Sequence, residues 1–382
     1  MRAQPFRGIA VGVAVALSVL LAGQPAFADS TRDRQWHSTA LDLDAAHRVS
    51  EGKGVTVAVI DTGVNAKHPD LTGNVLPGVD LTPDGGNGWT DTDGHGTAMA
   101  GLIAAHGHGS GNNSGVLGIA PRANIFPIRT GYGKLADSTL TPKAIKLAVE
   151  RGAKVISISS IEGTFKALSA AVQDAIAHDV VVVAAVGNRP DDAFIGYPAR
   201  YPGVLAVGAT GRNGKVAKVS VTGAEVAVTA PGTDIIAPDG QGGYRIGTGT
   251  SDSTAIVAGA VALIRSAFPD ATAAEVIRRL TATAKDEGEP GRDDRYGYGT
   301  LNLLSALTAT DIPAATSPAP QDSAAAPAPT AATATQPVEA SGPLFRFTTA
   351  FYVAIAFVAF LVVIGVGLLI WLNARRRRSR PL

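Results

Sequence analysis

The sequence predicts an α/β domain with a mostly parallel central sheet, covered on both faces by helices and followed by one membrane-crossing helix. Near-continuous apolar runs rich in β-branched residues recur within residues 29–310, as in strands buried on both faces. Helical patterns fall between these runs, and such alternation builds a parallel sheet in a single domain. Residues 350–372 contain no charged side chain. At about 1.5 Å per residue that run is long enough for a hydrocarbon core about 30 Å thick.

Taken in chain order, residues 1–28 read as a signal peptide. Arg2 and Arg7 give a basic start, residues 8–21 are apolar, and Ala26-Phe27-Ala28 has the form of a cleavage site. A short arm follows, with Trp36 and Leu41 as its large apolar residues. Strands are expected over residues 55–60, 123–129, 155–159, 180–186, 204–209 and 226–230, and helices over 95–105, 139–151, 165–177, 251–268 and 273–284. Residues 311–344 are dominated by Ala, Pro, Thr and Ser. They bury too little surface to offset their ordering entropy, and read as an extended stalk. The membrane helix is placed at residues 348–372, with Phe351, Tyr352 and Trp371 near its ends as interfacial aromatics. Arg375, Arg376, Arg377, Arg378 and Arg380 then form a basic tail, residues 373–382. By the positive-inside rule that tail stays cytoplasmic and the domain is exported.

Composition narrows the chemistry. The chain has no cysteine, which excludes disulfides, thiolate metal sites and a cysteine nucleophile. A formal net charge of +1 implies no nucleic-acid partner.

Three segments place polar groups where a parallel sheet gathers active residues, at the carboxyl ends of its strands. Asp61 ends an apolar strand. His95 stands between two glycines at the start of an apolar helix, and Ser251 opens a long apolar helix after a glycine-rich turn. Each has a plain structural reading: Asp61 as a turn residue, His95 as a helix-start residue, Ser251 as an N-cap. Together they supply what a serine nucleophile needs. A base takes the hydroxyl proton, and a carboxylate fixes the tautomer of that base and stabilises its charged form. The helix that begins at Ser251 also offers backbone N–H groups to an oxyanion.

In residue type and chain order these segments resemble the subtilisin family of serine proteases, over roughly residues 36–307. The resemblance implies a subtilisin-like three-layer domain in which Asp61 orients, His95 is general base and acid, and Ser251 is the nucleophile. Asn188, after the apolar run 180–186, takes the family's oxyanion-hole place, and Ser159, Ser160 and Ile161 take that of the substrate-binding strand. Further matches are Tyr197-Pro198-Ala199, Ala230-Pro231-Gly232 and Gly297-Tyr298-Gly299.

Three features depart from the family. Asp252 puts a negative charge beside the nucleophile, suited to a helix N-terminus but able to compete for oxyanion donors. Ile161, where the family has glycine, narrows the substrate pocket and implies a selective cut. Residues 29–54 are too short for a folded propeptide, so the arm is expected to pack on the domain. The whole architecture resembles the mycosins, the membrane-anchored subtilisin-like proteases associated with type VII secretion. That resemblance implies limited processing of a protein or peptide substrate and attachment to a secretion complex. The competing reading is a mainly structural part of such a complex, its catalysis secondary. No metal site or cofactor is expected. His106 and His108 read as solvated loop residues, and Asp84, Asp91 and Asp93 match no ligand loop, although structural calcium is not excluded.

Overall fold

A computed structural model describes residues 30–132 and 135–312. The signal peptide, nearly all of the stalk, the membrane helix and the basic tail expected above lie outside the described residues. The chain divides into two units, Met1–Ser317 and Pro318–Leu382, and the described residues belong to the first. Among them, no helix is long and apolar enough to cross a membrane.

After a single helical turn at Ser30–Asp33, the arm forms two longer helices, α1 (Trp36–Ala40) and α2 (Leu43–Val49). The body then alternates: β1 (Thr56–Asp61), β2 (Val79–Asp80), α3 (His95–Ala104), β3 (Asn124–Arg129), α4 (Thr141–Glu150), β4 (Val155–Ile158), α5 (Lys166–Ala177), β5 (Val181–Ala185), β6 (Leu205–Thr210) and β7 (Val228–Pro231). A hairpin, β8 (Ile235–Pro238) with β9 (Tyr244–Gly247), leads to α6 (Thr250–Ala267), α7 (Ala273–Ala282) and α8 (Leu303–Thr308). Every strand and helix expected between residues 55 and 284 is present, within a few residues at each end. The apolar runs left no room for other readings, because their β-branched residues pack well on a pleated surface.

Seven strands form one sheet in the order β7-β6-β5-β4-β1-β3-β2, and every pairing is parallel. Successive residues of a strand point to opposite faces, and the core divides accordingly. Val57, Val59, Val155, Val181 and Val183 join Met99 and Ile103 of α3 and Ile256 and Val257 of α6 in one cluster. Ala58, Ile60, Ile156, Ile158 and Val182 join Ile145 of α4 and Val172 of α5 in another. The three-layer expectation therefore holds. The chain leaves β1 toward β3 on one side and returns as β4 on the other. Ligands bind at such a switch point, outside the carboxyl ends of the strands.

The arm packs onto the domain as expected. Leu41, Leu43 and Ala46 enter the larger core cluster, and Trp36 Nε1 donates to the Thr233 carbonyl at 3.0 Å. Gln35 clasps Leu117 in both directions, at 2.9 and 2.8 Å. The histidine loop differs from its sequence reading. His106–His108 pairs with Ser114–Leu117 as a small antiparallel hairpin. His106 Nε2 donates to the Thr72 carbonyl at 3.0 Å, and His108 Nδ1 lies 2.6 Å from the fully buried Asp70 carboxylate. Alternating glycines hid this pairing, since Gly107, Gly109 and Gly115 offer no side chains to pattern.

Candidate active site

At the switch point Asp61 meets His95, while Ser251 meets Ser159 and its neighbour Thr250 meets Asn188. Asp61 is the last residue of β1 and His95 the first of α3. His95 Nδ1 donates to Asp61, 2.8 Å from Oδ1 and 3.0 Å from Oδ2. The Asp61 side chain is 6% exposed and that of His95 28%. With Nδ1 bonded, Nε2 is left as the basic nitrogen. Close approach makes this contact possible: a Cβ on Gly96 would collide with the Gly63 carbonyl and press on Asp61 Cβ.

A second carboxylate, considered above only for calcium, fixes the same corner. Buried Asp91 accepts from Thr62 Oγ1 at 2.9 Å, Gly94 N at 2.8 Å, Thr97 N at 2.8 Å and Thr97 Oγ1 at 2.5 Å. Thr62 Oγ1 in turn accepts from Gly96 N at 2.9 Å. The end of β1 and the start of α3 are thus tied through one carboxylate. Its signal was the spacing of Asp91 and Thr97 about His95, an acid and a hydroxyl around a helix start.

Ser251 occupies the first turn of α6, where backbone N–H groups have no partner within the helix. Its hydroxyl proton goes to the Ser159 carbonyl at 3.2 Å in this rotamer. Asn188, just beyond β5, reaches the same turn. Its Oδ1 accepts from Thr250 N at 2.9 Å and Thr250 Oγ1 at 3.2 Å, leaving the Nδ2 amide hydrogens to donate elsewhere. Asp192 holds the Asn188 backbone N–H at 2.7 Å. Thr250 and Asp192 were not singled out from sequence, because each acts only through Asn188.

Ser159, Ser160 and Ile161 follow β4 directly. Ile161 lies against bare backbone at Gly196, where a Cβ would collide with Ile161 Cγ2. Glu162 and Tyr197 exchange backbone hydrogen bonds of 2.8 and 3.1 Å. Segments 159–162 and 195–198 are thereby joined beside Ser251. Glu162 is buried, and burial pushes its carboxyl up to about 7 against hydrogen bonds from Thr141 and Ser160.

The imidazole is strongly biased. Burial alone would lower the pKa of His95, but the charge and hydrogen bond of Asp61 and the charge of Asp252 outweigh it. The net result is a rise to about 9, with Arg245 opposing. Asp252 is buried, which lifts its carboxyl to about 7, partly countered by His95 and Arg245.

Among the described residues, no group of three or more His, Asp or Glu is placed to hold a metal ion. Asp84 is engaged by Arg129 at 3.2 Å and Tyr132 at 2.7 Å, and Asp93 accepts from His95 N at 3.2 Å.

Comparisons with known proteins agree with this geometry. The subtilase family profile (peptidase S8) matches residues 52–299. Subtilisin E of Bacillus subtilis is 38% identical over 265 residues, which cover 67% of this chain. The match spans only 66% of that relative's length. Mycosin-1 of Mycobacterium tuberculosis is 34% identical, covering 91% of this chain and 86% of its own. Among solved structures, MycP1 with its N-terminal propeptide removed superposes with a TM-score of 0.65 at 32% identity, covering 73% of this chain and 98% of that one. The MycP3 protease from the type VII (ESX-3) secretion system gives 0.63 at 33%, covering 75% and 90%.

Proposed function

The chain belongs to the subtilase family, and from that premise we propose that it is a serine endopeptidase anchored at the outer face of a cell membrane. Asp61 holds the His95 ring and stabilises its charged form. His95 Nε2 takes the proton of Ser251 as Oγ bonds to the scissile carbonyl carbon. The carbonyl electron pair moves onto oxygen, which the Ser251 backbone N–H and Asn188 Nδ2 receive. Collapse breaks the C–N bond, and His95 passes its proton to the departing amine. A water molecule, deprotonated by His95, then cleaves the acyl ester and frees Ser251. Ser159, Ser160 and Ile161 line the path of the substrate. Ile161 pressed against Gly196 narrows that path and favours a selective cut over general degradation.

The contact between His95 Nδ1 and Asp61 at 2.8 Å, on the sheet edge that also presents Ser251, carries this reading. It is tested by exposing the full-length chain in detergent to a fluorophosphonate probe. Wild type takes the label and Ser251→Ala does not. A folded wild type that stays unlabelled overturns the assignment.

Place and partner follow from the ends of the chain. The alignment with mycosin-1 covers 91% of this chain and so reaches beyond the catalytic domain, and solved relatives come from type VII secretion systems. Together with a signal peptide at 1–28, an apolar run at 348–372 and a basic tail, this supports limited processing of a protein exported by such a system. Membrane-intact cells should expose the catalytic domain, but not residues 373–382, to added protease. The reverse pattern would refute this topology.

A further inference from the structure

Asp252 follows the nucleophile directly, and the mechanism above leaves it unused. It is 5% exposed although it sits in the first turn of α6. The carboxylate turns inward and rests on the bare backbone of β9. A Cβ on Gly247 would lie 2.7 Å from Oδ2 and 2.9 Å from Oδ1, so any side chain at 247 would displace it. Among the described residues no N–H or O–H donates to this carboxylate; besides burial, the influences on its charge are His95 and Arg245. A buried carboxylate without a donor is destabilising. Such a group beside a reactive centre points to a role in the chemistry.

We propose that Asp252 is a positioning residue: a second buried carboxylate that, beside Asp61, stabilises the positive charge His95 carries while it holds the serine proton. This rests on the reading of His95 as the general base. The charged groups around the imidazole come from every element packed there. Asp61 ends β1 and Asp93 precedes α3, with its Oδ1 on the His95 backbone N–H. Asp252 opens α6, and Arg245 of β9 opposes the influence of Asp61 and Asp252 on the ring. Asp61 and Asp252 differ in kind. Asp61 is hydrogen-bonded to the ring and sets its tautomer. Asp252 acts only through space, and only when ionised.

The sign of the effect follows. The Asp252 carboxyl titrates near 7, so above that pH it is charged and helps hold the proton on His95. His95 then becomes a free base only as pH rises toward about 9. Removing the charge must move the acid limb of activity to lower pH. An opposite charge within one site shifts a pKa by about one unit or more. Each unit on that limb is a tenfold change in the unprotonated fraction. Asp252→Asn keeps the shape and removes the charge. Near pH 7 it should therefore react up to about tenfold faster than wild type, and at high pH, where His95 is a free base in both proteins, more slowly, because the imidazolium formed in the step has lost the Asp252 charge.

The experiment uses the full-length chain in detergent. The second-order rate of fluorophosphonate labelling is measured from about pH 6 to about pH 10 for wild type and Asp252→Asn. In parallel, the chain is labelled with 15N-histidine, and His95 is titrated by NMR in Ser251→Ala with and without Asp252→Asn. The expected result is an acid limb and a His95 midpoint that both fall by about one unit in the asparagine variant. A His95 midpoint that stays put or rises overturns the proposal, whatever the labelling shows. The two readings fail separately. A wild type that never labels removes the peptidase assignment, while the NMR titration still decides whether Asp252 charges His95.

Discussion

Two buried carboxylates flank the site, and their surroundings could hardly differ more. Asp91 accepts hydrogen bonds from two backbone N–H groups and two threonine hydroxyls at 2.9 Å or less. Asp252, no more exposed, rests against backbone at Gly247. Asp91 lies where a strand end and a helix start must be locked in register, and its donors balance its desolvation. Asp252 lies where charge appears and disappears during a reaction, and with no donor to it among the described residues its charge is left to act on His95. Burial of a carboxylate is therefore not informative by itself. The count of its donors separates a group that holds the frame from one that tunes the chemistry.

The strongest way to break this comparison is Asp91→Ala. It strands the N–H groups of Gly94 and Thr97 and the Thr62 hydroxyl in a dry corner. A loss of about 3–5 kcal/mol is expected, as when one partner leaves a buried charged network, read as a lower midpoint in urea unfolding. If Asp91→Ala unfolds like wild type, the network is not what holds the corner. Close behind comes Asn188→Ala, a test mainly of chemistry. It should lower kcat by about 10²–10³-fold and, by stranding the two Thr250 donors, cost about 1–3 kcal/mol of stability. A comparable fall in KM-limited binding instead would assign Asn188 to substrate holding.

Asp252→Asn should act on stability in the opposite sense to Asp91→Ala. The folded-state pKa of Asp252 is about 7, above the ordinary 3.8. The folded protein therefore binds the proton more tightly than the unfolded chain. Stability contributed by this residue is full below about pH 4 and is lost as pH rises through 7. The asparagine variant should be the more stable by about 1–2 kcal/mol at pH 8, and the gain should vanish near pH 4. Thermal unfolding at the two pH values decides it; a gain that persists at pH 4 would mean the carboxylate charge is not its source.

Much of this was legible in the sequence. The strand runs, the helix positions and the residues Asp61, His95, Ser251 and Asn188 all carried local signals: an apolar run, a glycine pair, a helix start. What escaped notice shares one physical trait. Thr250 meets Asn188 from far along the chain, Asp192 meets it across a tight loop, and Asp91 gathers donors from Thr62, Gly94 and Thr97; each contact is set by loop geometry, which no periodicity records. The hairpin of β8 and β9 escaped for a related reason: β9 is Tyr244-Arg245-Ile246-Gly247, with Ile246 exposed and no alternation that marks a buried face. The charge on Asp252 was legible as a departure that suits a helix N-terminus and could compete for oxyanion donors, but nothing in the sequence turns the carboxylate inward onto Gly247.

The arm offers the mildest test, because it holds the frame far from the reacting groups. Arg32 donates through Nε to the Gly115 carbonyl at 2.9 Å and through Nη2 to the Asn112 carbonyl at 3.1 Å. These carbonyls belong to the hairpin loop that also carries His108, bonded to Asp70. Asp70 stands between the two extremes above: its Oδ2 has a backbone donor in Val116 N at 2.8 Å, while Oδ1 depends on the imidazole. Arg32→Ala removes the guanidinium from this loop but leaves Gln35 clasping Leu117. It should lower stability by about 1–2 kcal/mol and speed proteolytic cutting in the 107–115 loop. The rate of fluorophosphonate labelling should not change, because Asp91, not the arm, locks the corner of His95. A parallel fall in labelling would mean that the arm reaches the site through Asp70, and the division between frame and chemistry would have to be redrawn around three carboxylates instead of two.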